Sequence, residues 1–131
     1  MDIAVSREQG RVPVTVFRVT GEINAQSYPQ LQTAAEQAFQ AGMRDLLLDL
    51  SDVTYITSAG LRTLHQIFTM LHAGSSETGA KIHQGLRDGT FTSPHLKLLN
   101  PQPIVETVLH TAGFDMYIEI HRNRKDAVAS F

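Results

Sequence analysis

Five residues, Leu46-Leu47-Leu48-Asp49-Leu50, constrain this chain more than any others. Successive side chains of a strand point to opposite faces, so a nearly unbroken apolar run needs cover on both sides. Such a strand predicts a mixed or parallel sheet with helices above and below. From Leu61, the residues Leu64, Phe68 and Leu71 recur at three and four with Ile67 beside them, so an amphipathic helix follows and stops near Gly74. The turn between strand and helix puts a hydroxyl, Ser58, at the helix entrance. A helix start offers unpaired N–H groups and a partial positive charge, so a hydroxyl there can cap the helix or carry a phosphate that this end stabilises. That is switch chemistry more than catalysis.

The flanking segments extend the pattern. Ile3 and Val5 alternate with polar neighbours, and Val12, Val14 and Val16 continue the period past Gly10 before Phe17 and Val19 shift its phase, which predicts two strands around a turn. Ser27 followed by Gln30 has capping-box spacing, Pro29 suits a first helical turn, and Leu31, Ala34, Ala35, Ala38 and Phe39 recur at helical spacing up to Gly42. His95 to Leu99 is a further buried strand. Pro101 and Pro103 lead into a helix with Ile104, Val105, Val108, Leu109 and Ala112 on its apolar face, closed by Gly113. Met116 to Ile120 predicts a last strand, and Asn123 a cap for a short helix burying Ala127, Val128 and Phe131. Alternating strands and helices point to an α/β layer structure. Residues 74 to 94, rich in Gly, Ser and Thr, are longer than compact domains usually leave without structure, and a flexible insertion is expected there.

Composition removes several classes of function. At 131 residues a single domain over 1–131 is expected, with a core large enough to need no staples. The absence of cysteine excludes disulfides, thiolate catalysis and thiolate metal sites. A formal charge of -2 gives no electrostatic reason for nucleic acid or anionic membrane as partner, and no segment approaches the roughly 20 apolar residues of a membrane span. A cytoplasmic setting is therefore expected. Neither G-x-G-x-x-G nor G-x-x-x-x-G-K-[ST] occurs.

The order of elements and the wording of three segments resemble the STAS domain family, in particular its anti-sigma factor antagonist type. Gly21-Glu22-Ile23-Asn24 resembles the family's G-E-L-D turn, Leu46 to Val53 the strand LVLDLSGV, and Ile56 to Leu61, ITSAGL, the motif IDSSGL. Asn100 to Gly113 is similar to the segment in which Pro follows the fourth strand and a T/S-G pair closes the third helix. The resemblance covers nearly the whole chain and implies a mixed sheet of four to five strands with about four helices. It implies no enzyme activity and no cofactor. It implies a partner that is both a serine kinase and an anti-sigma factor, a PP2C-type phosphatase, and phosphorylation at the first serine of the D-S-S-G turn, which aligns with Ser58. Asn24, Thr57, Ser58, Ala59, Gly60 and Arg62 are then the expected partner-binding residues. Thr57, Ala59 and Asn24 replace the family's Asp, Ser and Asp, removing two carboxylates near the turn. A non-switching STAS subunit of a stressosome-like scaffold or of a lipid ABC transporter is the second function the resemblance allows.

Plainer roles stand beside these. Ser58 as a cap alone is worth about 1 kcal/mol. Gly60 reads first as a packing residue of the first helical turn, and Arg62, one turn on, as an exposed cation able to neutralise a phosphate on Ser58. His65 and His72 share a helix face, but seven residues apart is not ligand spacing, and His83, His95, His110 and His121 show none either. Asp49 and Asp52 accompany no nucleophile and read as solvated turn carboxylates.

Overall fold

The structure is a computed structural model and describes residues 1–73 and 92–131. In chain order it contains β1 (Asp2–Gln9), β2 (Pro13–Ile23), α1 (Tyr28–Gln40), β3 (Leu46–Ile56), α2 (Ser58–Ala73), β4 (Leu96–Leu99), α3 (Pro103–Thr111), a 3-10 turn (Phe114–Met116), β5 (Ile120–His121) and α4 (Arg124–Ala129). The five strands form one sheet in the order β1-β2-β3-β4-β5. β1 runs antiparallel to β2, and the other neighbours are parallel, so the sheet is mixed as expected.

Three successive parallel crossovers step across the sheet in one direction, and the right-handed rule places all their helices on the same face. α1, α2 and α3 accordingly bury Leu31, Ala35, Leu64, Ile67, Val105 and Leu109 against Phe17, Val19, Leu46, Leu48, Leu50, Leu96 and Leu98. The opposite face is covered by the C-terminal helix, where Ala127 and Val128 meet Val14, Val16, Leu47 and Leu99. Both faces of β3 are thus buried from Leu46 to Leu50, as its apolar run requires. The shift of phase at Phe17 has the same cause: β2 sends Val14 and Val16 to one core and Phe17 and Val19 to the other.

α1 begins after Ser27 with Pro29 in its first turn, but the capping box does not form. The Ser27 hydroxyl instead donates to the Glu22 carbonyl (2.7 Å) and accepts from the Asn24 N–H (2.9 Å). Gly42, at φ +113, ends the helix in the left-handed region that L side chains rarely adopt. The predicted strand 116–120 is reduced to Ile120–His121, because Phe114–Met116 winds into a 3-10 turn that buries Phe114. Ile104 departs from its predicted apolar face and is 52% exposed, and Ala112 is exposed too, whereas Val105 and Leu109 are fully buried. Asn123 caps α4 as predicted, its side chain accepting from the Asp126 N–H at 3.0 Å.

Most of the predicted insertion at 74–94 lies outside the described residues, and its described end is anchored. Ser93 is fully buried, its N–H donates to the Tyr117 carbonyl (2.7 Å), and its hydroxyl meets His72 Nε2 (2.8 Å) and accepts from the Leu96 N–H (3.1 Å). His65, by contrast, is exposed.

At the end of α3, His110 Nδ1 lies 2.6 Å from Asp115 Oδ2, and that hydrogen bond together with the charge of Asp115 raises the His110 pKa above its ordinary 6.5. A folded-state value above the unfolded one means the pair stabilises fully below pH 6.5 and ceases to do so as pH rises through the raised value. His110→Gln is expected to remove this part of the melting profile while leaving the alkaline side unchanged. Identical pH dependence of melting in both proteins would show that the pair contributes nothing.

Candidate functional site

The chain turns that follow β2 and β3 meet at one carbonyl. β2 and β3 stay paired to their ends, with Ile23 opposite Ile56. The Thr57 N–H then donates to the Ile23 carbonyl at 3.0 Å, and the Thr57 hydroxyl approaches the same oxygen at 3.4 Å. The Thr57 carbonyl accepts from the Leu61 N–H (2.9 Å), so Thr57 holds the N-cap position and Ser58 is the first residue of α2.

This corrects the capping role read for Ser58. Its side chain is exposed, and its hydroxyl makes no hydrogen bond among the described residues. No side-chain oxygen among them caps the N–H groups of Ser58, Ala59 or Gly60. The reason is geometric: a first-turn side chain points outward from the helix, and the neighbouring Thr57 hydroxyl is turned inward to Ile23.

Gly60 is buried, and its lack of a side chain is required. A Cβ there would lie 2.6 Å from Ile56 Cγ1, 2.7 Å from the Ile23 carbonyl oxygen and 2.8 Å from Ile23 Cγ2. The packing role is therefore the one observed, and it seats the start of α2 directly on the ends of β2 and β3. Ala59 is half-buried beside it. Arg62, one turn further, is exposed and makes no ion pair or hydrogen bond among the described residues.

Asn24 approaches from the β2 side. Its side-chain oxygen accepts from the N–H groups of Gln26 (2.9 Å) and Ser27 (3.0 Å), so it builds its own turn and presents no free carboxylate to the site. The six residues singled out from the sequence thus gather at the end of the sheet where β2 and β3 finish. Glu22 and Tyr55 belong to the same rim, paired across β2 and β3, with Tyr55 38% exposed. Tyr55 was not legible in the sequence because it lies on the stretch read as turn, whereas β3 continues as strand to Ile56.

The acidic residues behave differently from each other and from expectation. Asp49 is 7% exposed, and its Oδ1 accepts from the Ser51 N–H (3.0 Å) and hydroxyl (2.5 Å), so it is a buried strand carboxylate instead of a solvated turn residue. Asp52 pairs with Arg18 at 2.7 Å, a contact that raises the Arg18 pKa further through its hydrogen bond and its charge. The described residues contain no group of three or more His, Cys, Asp or Glu placed to hold a metal ion. None of their helices is long and apolar enough to cross a membrane.

The STAS domain family model matches residues 4–78, more than half of the chain and all of the turn just described. The chain belongs to the STAS domain family. Its fold is shared by an anti-sigma factor antagonist from Mycobacterium paratuberculosis at 23% identity and a TM-score of 0.70, over 98% of this chain and 93% of that one. The anti-sigma factor antagonist SpoIIAA in its unphosphorylated form matches at 17% identity and a TM-score of 0.65, over 95% and 93%. The Bacillus cell fate determinant SpoIIAA in the phosphorylated form matches at 17% and 0.61, over 95% and 96%. At these identities the likeness is one of fold. No curated protein sequence matches this STAS domain significantly.

Proposed function

We propose that this STAS domain is a partner-switching module of the anti-sigma factor antagonist type. Unphosphorylated, it presents the Ser58 turn and the exposed face of α2 to a serine-kinase anti-sigma factor, thereby freeing a sigma factor in the cytoplasm. Phosphorylation of Ser58 breaks that contact, and a PP2C-type phosphatase restores it. The observation that carries this reading is the exposed Ser58 hydroxyl, uncommitted to any hydrogen bond among the described residues and standing at the first position of a 16-residue helix. A phosphate there adds about −1.5 to −2 charges at an end of the helix that tolerates them, so the fold survives while a partner shaped for a small neutral hydroxyl is repelled.

The test is a binding titration against a serine-kinase anti-sigma factor from the same organism. Ser58→Ala is expected to bind as the wild type does and to resist release by ATP, while Ser58→Asp weakens binding at least about tenfold, or about 1.4 kcal/mol. Equal affinity of the two variants would exclude the switch. That outcome favours the second reading, a STAS subunit of a stressosome-like scaffold or of a lipid ABC transporter with a permanent docking surface. One observation supports that reading: Asn24 and Thr57, which replace the motif's two carboxylates, direct their side chains to nearby backbone.

A further inference from the structure

Ser58 and Arg62 stand four residues apart in α2, both exposed, and among the described residues neither side chain has a hydrogen-bond or ion-pair partner. Side chains at i and i+4 are neighbours on a helix surface, and the favourable order puts the anion on the N-terminal side, as here. An arginine fork matches phosphate oxygens geometrically and keeps its charge at every physiological pH. Three of the neighbouring polar residues are committed elsewhere, and Glu22 on the same rim keeps an exposed carboxylate. Asn24 is neutral and spent on its own turn, Thr57 points to the Ile23 carbonyl, and Asp52 is held by Arg18.

Resting on the proposed phosphorylation of Ser58, we infer that Arg62 is an intramolecular clamp for the phosphate, so that one modification both adds negative charge and withdraws the free cation of the docking face. The balance of the patch changes: Arg62 offsets the exposed Glu22 of the same rim before modification, and the clamped dianion leaves the patch negative. A partner that approaches the unmodified turn through an acidic group loses its attraction and meets repulsion in the same event. Loss of the motif's two carboxylates fits this arrangement, because no acid at positions 24 or 57 remains to repel the phosphate or to draw Arg62 away.

The second pKa of the phosphate reports the clamp directly, since a nearby guanidinium favours the dianion. Phosphoserine is placed at position 58 of the full chain during translation, which needs neither kinase nor partner, and the phosphorus NMR signal is followed against pH. The ordinary value is about 6. The wild-type chain is expected to titrate lower than Arg62→Gln by roughly half a unit, with Arg62→Lys in between because lysine keeps the charge without the fork. The start of α2, Glu22, Tyr55 and His65 are the same in all three chains, so their influence cancels in the difference. Coincident titration curves for wild type and Arg62→Gln would overturn the clamp. Because no partner enters this measurement, a clamp can be found where the binding switch fails, and a switch can stand where the clamp fails.

Discussion

Gly60→Ala is expected to destabilise the protein by about 2–3 kcal/mol, although alanine is the better helix former by about 1 kcal/mol. The added Cβ would sit at 2.6–2.8 Å from Ile56 and Ile23, and one of the three atoms it meets is the Ile23 carbonyl oxygen. Flexible side-chain ends can move aside, but this oxygen already accepts from the Thr57 N–H at 3.0 Å, so displacing it also loosens the entry to α2. Overpacking of a rigid contact commonly costs about 1–3 kcal/mol, and here backbone is involved, so the clash outweighs the gain in propensity. Urea unfolding monitored by circular dichroism measures the difference. A variant as stable as the wild type would show that α2 can shift outward freely, and the seating of Ser58 derived above would be wrong.

Lys97→Ala is expected to cost about 2–3 kcal/mol and to release α4 before the rest of the fold. Lys97 points to the face of β4 that α4 covers, with its side chain only 4% exposed. Its ammonium donates to the Ser130 carbonyl (2.9 Å) and hydroxyl (3.0 Å), pairs with Glu119 (3.1 Å) and lies 5.0 Å from the centre of the Phe131 ring. A hydrogen bond involving a charged group is worth about 1.5–3 kcal/mol, and the ordering of the long lysine stem offsets part of what its burial contributes. Glu119 is 40% exposed and keeps its 3.1 Å contact with His121 when Lys97 is removed, which holds the cost below that of a fully buried pair. Lys97→Met retains the stem and separates packing from charge. Amide hydrogen exchange in α4 is the decisive measurement: unchanged protection at Ala127 and Val128 in Lys97→Ala would show that the helix is held by its apolar contacts alone.

Much of this architecture is legible in the chain. Local rules set the amphipathic faces of α1 and α2, the stop at Gly42, the Asn123 cap and the double burial of β3, because each depends on spacing along a few residues. The rest depends on partners distant in sequence. The Ser27–Gln30 spacing signals a capping box, yet the Glu22 carbonyl offers the Ser27 hydroxyl a stronger claim. Asp49 looks like a turn acid until β3 is seen to run on to Ile56, and Ile104 looks like core until α3 is placed with Val105 and Leu109 inward.

The sequence by itself determined which elements exist and that a serine stands where strand gives way to helix, since hydrophobic period and turn chemistry are local properties. Only the tertiary structure decided that Thr57 holds the N-cap position, that Ser58 is left outside with a hydroxyl to spare, and that a side chain at Gly60 meets the Ile23 carbonyl. All three follow from a single long-range contact, the seating of α2 on the Ile23 carbonyl, which brings together residues 34 positions apart that no local pattern relates.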